Sequence, residues 1–270
     1  MQRPRLVASD VDGTLLDPTE RISKRTRAVV QRVLAAGVPF VLVTGRPPRW
    51  IPPIVELLGH AGSTVCANGA VLYDAATDQV SYSATLDPGQ LRDAANMVAT
   101  ALPGAKLAVE LPTGSAAVNG ADQFLAEPGY THPWPGADSV AAPRDMLLGR
   151  PAIKLLVRQP HASSDVMAAA VREILGAALG VTFSTGHGLI ELSAPGVTKA
   201  TGLARLAGEL GIPPADVVAL GDMPNDLSML QWAGYGVAMA NAHPSVLDAA
   251  DEITARNSED GLALVLERWF

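Results

Sequence analysis

The sequence contains one cysteine, Cys66, among its 270 residues, so no disulfide can form within the chain. Cys66 lies in the largely apolar stretch 63–67, where a small residue is typical of a protein core rather than of a nucleophile. A chain of this length buries enough apolar surface to fold without disulfides or a structural metal. A lone cysteine is consistent with a reducing compartment.

The sequence also lacks a run of about 18 apolar residues, which is the length that spans a bilayer as a helix. Residues 3–5, Arg-Pro-Arg, lead directly into the first predicted strand, without the apolar region and cleavage site of a secretion signal. We therefore expect a cytoplasmic protein with no membrane partner.

Clusters of lysine and arginine are missing as well. The chain has 20 basic and 27 acidic side chains, which gives a formal net charge of −7. A nucleic-acid partner is disfavoured, because such partners require several cations close together. We expect a small molecule as the partner, and a protein that is a monomer or a weak homodimer.

The apolar residues, 48% of the chain, are arranged as alternating strands and helices at both ends of the sequence. Strands are predicted at 6–8, 38–43, 217–220 and 236–239. Helices are predicted at 25–36 and 198–211, and two more are predicted to end at residue 230 and near residue 270. Short links between them indicate a parallel sheet with right-handed crossovers. The segments 70–73 and 80–83 are predicted to form a hairpin.

The middle of the chain does not follow this alternation. A helix is predicted at 88–102, a strand at 153–157 and a helix at 163–179, with a proline- and glycine-rich stretch at 127–143 between them. Such an order is typical of an α+β unit. We predict one α/β domain made of residues 1–84 and 189–270, with a second domain, 85–188, inserted into it.

Two carboxylates, Asp10 and Asp12, follow the first predicted strand. The carboxyl ends of parallel strands form the edge of the sheet at which ligands bind. Carboxylates so close together repel each other, so a cation or a proton is expected between them. Gly13 and Thr14 then form a turn whose backbone N–H groups can face an anion.

Two ordinary alternatives exist for this segment: an acidic turn and the start of a calcium loop. The calcium loop requires a glycine at its sixth position and a glutamate at its twelfth, where Leu15 and Arg21 stand. This mismatch disfavours the calcium loop.

Three further segments are placed at the same predicted edge or at the start of a helix. Thr44, Gly45 and Arg46 end the second strand, Lys199 opens a helix, and a group of polar residues follows the strand 217–220, namely Asp222, Asn225 and Asp226. Each has an ordinary alternative when taken alone: a strand terminator, a solvated lysine and a helix-capping turn.

Taken in order, these segments resemble the four motifs of the haloacid dehalogenase-like (HAD) superfamily, beginning with residues 10–16, and they span the chain from end to end. Within the superfamily the sequence is most similar to the Cof-type sugar-phosphatase-like group, through its long insertion and the segments 66–70 and 257–261. The resemblance implies a Rossmann-like parallel-sheet core with an inserted α+β cap domain, of the C2 type, that closes over the site.

The resemblance also implies a phosphatase in which Asp10 is the nucleophile and Asp12 the general acid and base. The implied phosphate-binding residues are Gly13, Thr44, Gly45, Lys199 and Asn225. A magnesium ion, which prefers oxygen ligands, is implied at Asp10, Asp222 and the backbone carbonyl of Asp12, with Asp226 holding a metal-bound water.

The expected substrate is a small phosphorylated metabolite, such as a sugar phosphate. Arg46 and Asn68 lie near the motifs and are candidates for contact with the leaving group. Four residues of the insertion are weaker candidates, since a surface role is the commoner one: His132, Trp134, His161 and His187. Two other functions stay open, a phosphomutase and a phosphate-binding protein without turnover.

Overall fold

The computed structural model describes residues 2–116, 123–133 and 139–270. The chain forms two compact units, Met1–Ser81 with Thr198–Phe270 and Tyr82–Val197. The first unit therefore contains both ends of the chain, and the second is inserted between them. In the described part of the chain, no helix is long and apolar enough to cross a membrane.

The strands run in chain order as β1 Leu6–Ser9, β2 Phe40–Val43, β3 Ser63–Cys66, β4 Val71–Asp74, β5 Gln79–Ser83, β6 Lys106–Glu110, β7 Phe124–Ala126, β8 Val140–Ala141, β9 Lys154–Arg158, β10 Gly180–Thr182, β11 Leu189–Ser193, β12 Val217–Gly221, β13 Tyr235–Ala238 and β14 Glu252–Ile253. The helices are α1 Lys24–Ala35, α2 Pro52–Leu58, α3 Pro88–Ala101, α4 Arg144–Leu147, α5 Ser164–Leu175, α6 Lys199–Glu209, α7 Leu227–Trp232, α8 Pro244–Leu247 and α9 Gly261–Leu266.

The sheet of the first unit has the order β14-β13-β12-β1-β2-β3-β4-β5 in the described residues. The strands from β14 to β3 are parallel, and β4 runs antiparallel to β3. The central strands β1, β2 and β12 are buried along their whole length, in keeping with their apolar sequences. Because β1 lies between β2 and β12, segments distant in sequence reach the same sheet edge.

The sheet of the second unit has the order β10-β11-β9-β6-β7-β8 among the described residues. It is antiparallel except for the pair β7 and β8. Helix α5 contacts α3 and also β11. A mixed α/β core with an inserted α+β unit confirms the fold class that the sequence predicts.

The structure differs from the sequence-based prediction at several helices, and two of the differences have a local cause. Helix α5 ends at Leu175 rather than at 179, because Gly176 has a φ of +55° and breaks the helical path. Helix α2 was not predicted, since it opens with two prolines, Pro52 and Pro53, which in sequence resemble a loop. Proline is well tolerated in the first turn of a helix, where its missing N–H has no helical acceptor.

Candidate active site

The site is built around Asp10, the residue that follows β1. Its backbone N–H donates to the carbonyl of Leu220 on the neighbouring strand β12, at 3.0 Å, so the sheet pairing extends as far as Asp10. The side chain of Asp10 is buried. Burial of a carboxylate requires charged or polar partners, and the nearest partner is Lys199.

Lys199 is the first residue of α6, and its side chain is fully buried. Its Nζ lies 2.6 Å from Asp10 Oδ1 and 2.5 Å from Asp226 Oδ1. The start of α6 packs directly on the turn 67–69: a Cβ at Gly69 would lie 1.9 Å from the carbonyl oxygen of Thr198. This close approach brings the lysine inward, so the alternative of a solvated lysine is wrong.

Asp222 and Asp226 follow β12 and complete the acidic cluster. Asp226 Oδ2 accepts from the backbone N–H groups of Asp222 and Met223, at 3.0 and 2.9 Å. Asp222 Oδ1 accepts from the hydroxyl of Thr14, at 3.3 Å. Two strands and the start of one helix thus hold three carboxylates and one ammonium group together.

Burial sets the electrostatics of the cluster. Burial raises the pKa of Asp10 to about 7; Lys199 opposes this rise, and the charges of Asp226 and Asp12 add to it. Burial also raises the pKa of Asp222 well above its ordinary value, and Asp10 and Asp226 raise it further. For Lys199, burial alone would lower the pKa, but the two carboxylates outweigh it and raise the pKa above the usual value.

The donor set of the cluster fits a hard divalent cation. One carboxylate oxygen each from Asp10, Asp222 and Asp226 lies within 4.8 Å of the others. Three ionised carboxylates against one ammonium leave a deficit of two positive charges. Oxygen-only ligands favour Mg²⁺ over zinc, which prefers nitrogen and sulfur. The carboxylate of Asp12 does not belong to this group.

The raised pKa of Asp10 predicts how the metal-free protein responds to pH. A buried carboxyl whose folded-state pKa exceeds its unfolded value stabilises the fold while protonated, so its contribution is complete below about pH 4 and is lost as the pH rises through about 7. With a chelator present, we expect the free energy of unfolding to fall more across this range in the wild type than in Asp10→Asn. Thermal unfolding at a series of pH values measures the difference; parallel curves for the two proteins would contradict the prediction.

Gly13 allows the close approach of Asp222 to the turn after β1. Its φ is +83°, and a Cβ at this position would lie 2.2 Å from Asp222 Oδ2. Any larger residue therefore displaces a carboxylate of the cluster. The sequence-based prediction assigned Gly13 to phosphate binding, and the structure gives it this additional steric role.

We expect Gly13→Ala to destabilise the fold and to weaken Mg²⁺ binding by about tenfold or more, since it moves one ligand. Gly37→Ala is the matched control, because Gly37 has a φ of +73° with nothing within 4 Å of an added Cβ. That variant carries only the backbone strain, about 1–2 kcal/mol. Denaturant unfolding and calorimetric Mg²⁺ titration measure both quantities, and equal Mg²⁺ affinities in the two variants would disprove the steric role.

The side chain of Asp12 is engaged by Arg46. The guanidinium donates from Nε to Asp12 Oδ2 at 2.9 Å and from Nη2 to Asp12 Oδ1 at 2.5 Å. The backbone N–H of Arg46 donates to the hydroxyl oxygen of Thr44, at 3.0 Å. Thr44 is fully buried and directly follows β2, the strand that pairs with β1.

Asn68 and Asn225 form a second polar pair. The amide of Asn225 donates to Asn68 Oδ1 at 3.0 Å, and both side chains are buried. A Cβ at Gly45 would lie 3.2 Å from that same oxygen, so Gly45 also belongs to this cluster. The oxygen of the Asn225 amide is buried without a hydrogen-bond partner in the described residues.

Sequence reasoning missed Asn241, which supports the turn after β1. Its amide donates to the carbonyl of Gly13 at 2.8 Å, and its oxygen accepts from the N–H of Asn257. Asn257 in turn donates to the carbonyl of Leu16 at 2.7 Å. The position of Asn241 after β13, at the same sheet edge, is the signal that would have identified it.

Three of the four candidates in the inserted unit lie among the described residues. The ring of His132 packs against Phe124, with centroids 5.2 Å apart, while His161 and His187 are exposed. Trp134 lies outside the described residues.

Comparison with known proteins identifies the family of the chain. The sequence model of the haloacid dehalogenase-like hydrolase family matches residues 7–266. The chain is 28% identical to a phosphoglycolate phosphatase of Methanothermobacter thermautotrophicus over 98% of both chains. It is 29% identical to a 5-amino-6-(5-phospho-D-ribitylamino)uracil phosphatase of Bacillus subtilis, over 99% of this chain and 98% of the relative.

A solved haloacid dehalogenase-like hydrolase of Bacteroides thetaiotaomicron superposes with a TM-score of 0.76 at 27% identity, covering 99% of this chain and all of the other. The chain therefore belongs to the haloacid dehalogenase-like hydrolases. Within that family it is a phosphatase of the Cof-type group, and this confirms the resemblance seen in the motifs.

Proposed function

We propose that the chain is a Mg²⁺-dependent phosphatase that hydrolyses a small phosphorylated metabolite through an aspartyl-phosphate on Asp10. The observation that carries the proposal is the buried contact of Lys199 with Asp10 and Asp226. A fully buried ammonium next to a carboxylate at the carboxyl edge of a parallel sheet provides charge both for the nucleophile and for a phosphoryl group.

In the first step a carboxylate oxygen of Asp10 attacks phosphorus, and the bond from phosphorus to the leaving oxygen breaks. Asp12 donates a proton to that oxygen, so the alcohol leaves neutral and Asp10 carries the phosphoryl group. In the second step water attacks the same phosphorus while Asp12 takes its proton. The bond from phosphorus to the Asp10 oxygen breaks, inorganic phosphate leaves, and both carboxyl groups return to their starting state.

The charge that develops on the phosphoryl oxygens is offset by groups of the chain. Lys199 supplies a fixed ammonium, and the Thr44 hydroxyl, which accepts from Arg46 N–H, has a proton to donate. Asp10 and Asp222, with the backbone carbonyl of Asp12, would hold Mg²⁺, and Asp226 would support it. When bound, the ion supplies positive charge that neutralises the phosphoryl oxygens and the carboxylates.

The substrate class follows from the relatives rather than from the geometry. Those reported above are named for phosphoglycolate and for a phosphoribitylamino-uracil, both small phosphate monoesters. These names favour a small phosphorylated metabolite without selecting one. A screen of sugar phosphates, nucleotides and phosphorylated carboxylic acids is the way to identify it.

A direct test is the release of inorganic phosphate from 4-nitrophenyl phosphate by the purified protein. We expect release with Mg²⁺, none with a chelator, and full recovery when Mg²⁺ is restored, because the acidic cluster lacks two positive charges without the ion. Release that persists in the chelator would refute the metal requirement. The absence of release from every phosphate ester in the screen would instead favour a binding protein.

A further inference from the structure

The guanidinium of Arg46 donates a hydrogen bond to each of the two carboxylate oxygens of Asp12. The two hydrogen bonds, 2.9 and 2.5 Å long, form a fork in which each oxygen accepts from a different nitrogen. This geometry fixes the orientation of Asp12 as well as its charge. It also means that the proposed acid and base already has a partner before any substrate binds.

The two members of the pair differ in their freedom to move. The backbone of Arg46 is tied at both polar groups, since its N–H donates to Thr44 Oγ1 at 3.0 Å and its carbonyl accepts from Ala67 N–H at 2.9 Å. Its side chain is 17% exposed, against 48% for Asp12. When the pair separates, Asp12 is therefore the side chain that turns away.

Proton transfer requires this separation. A general acid must place an oxygen within about 3 Å of the atom that it protonates, and the fork fixes the direction of both Asp12 oxygens toward Arg46, so neither can turn to a leaving oxygen while the pair persists. A guanidinium that loses its partner in a partly buried position needs another acceptor with two oxygens. Phosphoryl groups and carboxylates have this geometry.

We propose that Arg46 is a positioning residue that exchanges Asp12 for two oxygens of a bound phosphate group, so that anion binding frees the Asp12 carboxylate to take up a proton and pass it to the leaving oxygen. The proposal rests on the proposed function, because it requires that a phosphate group binds beside Asp10. It has a consequence for binding alone: Asp12 and the anion compete for Arg46.

The competition is measurable with inorganic phosphate as the probe. Calorimetric titration at saturating Mg²⁺ gives the dissociation constant for the wild type, Asp12→Asn, Arg46→Gln and the double variant. We expect Asp12→Asn to bind phosphate about fivefold more tightly than the wild type, which is the upper range for a half-exposed ion pair. In the Arg46→Gln background the same change should alter the constant by less than about twofold.

The double variant separates the proposal from a simple charge effect. Removal of a negative charge near the anion would tighten binding equally in both backgrounds, and that result overturns the proposal, as does unchanged binding in Asp12→Asn. If Arg46→Gln fails to fold, Arg46→Lys replaces it in the set of four proteins, since lysine keeps the charge but cannot form the fork. We again expect Asp12→Asn to change phosphate affinity less in this background than in the wild type. A wild-type protein that does not bind phosphate at all would overturn the proposed function together with this inference.

Discussion

Substitution of Asp10 by asparagine is expected to reduce phosphate release by at least about 10⁴-fold, which is the largest effect of any single change in this protein. The amide is nearly the same size as the carboxylate but cannot attack phosphorus and form an aspartyl-phosphate. It also has no charge to hold Lys199 or a metal ion. Lys199 keeps its second partner, Asp226, so we expect the variant to fold.

The matched control is Asp216→Asn. Asp216 directly precedes β12, at the opposite end of the strand from Asp222, and it is a half-buried residue that pairs with Arg5 at 3.2 Å. We expect this variant to hydrolyse 4-nitrophenyl phosphate at the wild-type rate. Undiminished hydrolysis by Asp10→Asn, with the fold checked by circular dichroism, would eliminate the nucleophilic role.

Substitution of Lys199 by methionine is expected to have the largest effect on stability. The ammonium is fully buried and bonds two carboxylates, so its loss leaves like charges facing each other without compensation. Removal of one partner from a buried ion pair costs about 3–5 kcal/mol. We expect a loss of this size in chelator and a smaller one with Mg²⁺, because the ion partly replaces the lost charge. Activity should fall by on the order of 10²–10³-fold, as when a transition-state donor is removed.

Lys24→Met is the control for this change, since Lys24 is also the first residue of a helix but its side chain is exposed. It should leave stability and activity nearly unchanged. A second variant, Lys199→Met combined with Asp226→Asn, removes one of the facing carboxylates and should regain part of the stability but none of the activity. Chemical denaturation measures both effects. Equal stabilities of Lys199→Met and the wild type would show that the buried pair carries no net energy.

The central part of the fold was predictable from the sequence because its strands are apolar throughout. A strand buried on both faces, such as β1 or β12, is a short apolar run that ends abruptly in polar residues. The hydrophobic periodicity of the sequence did not predict helix ends that depend on a single proline or glycine. Examples are the prolines that open α2 and Gly176, whose positive φ ends α5. The sequence alone does not show the backbone conformation at these positions.

The candidate site was predictable in its residue types but not in its contacts. Motif resemblance selected Asp10, Lys199 and Asp222, and the structure places them together. No sequence pattern indicates that Arg46 holds Asp12 with two hydrogen bonds, because that contact depends on the side-chain directions of two loops. The roles of these residues in turnover stay predictions until the variants are measured.

The position of β1 between β2 and β12 has a consequence for synthesis of the chain. Strand β2 follows β1 by about thirty residues, whereas β12 leaves the ribosome only after the whole inserted unit. Until then one edge of the apolar strand β1 has no neighbour, and an uncovered edge of this kind is a template for pairing between chains. A nascent chain that stops before residue 217 therefore lacks Asp222, Asn225 and Asp226 and exposes a strand edge that can pair with other chains. We expect such truncated chains to aggregate or to depend on chaperones, although most of their residues can already fold.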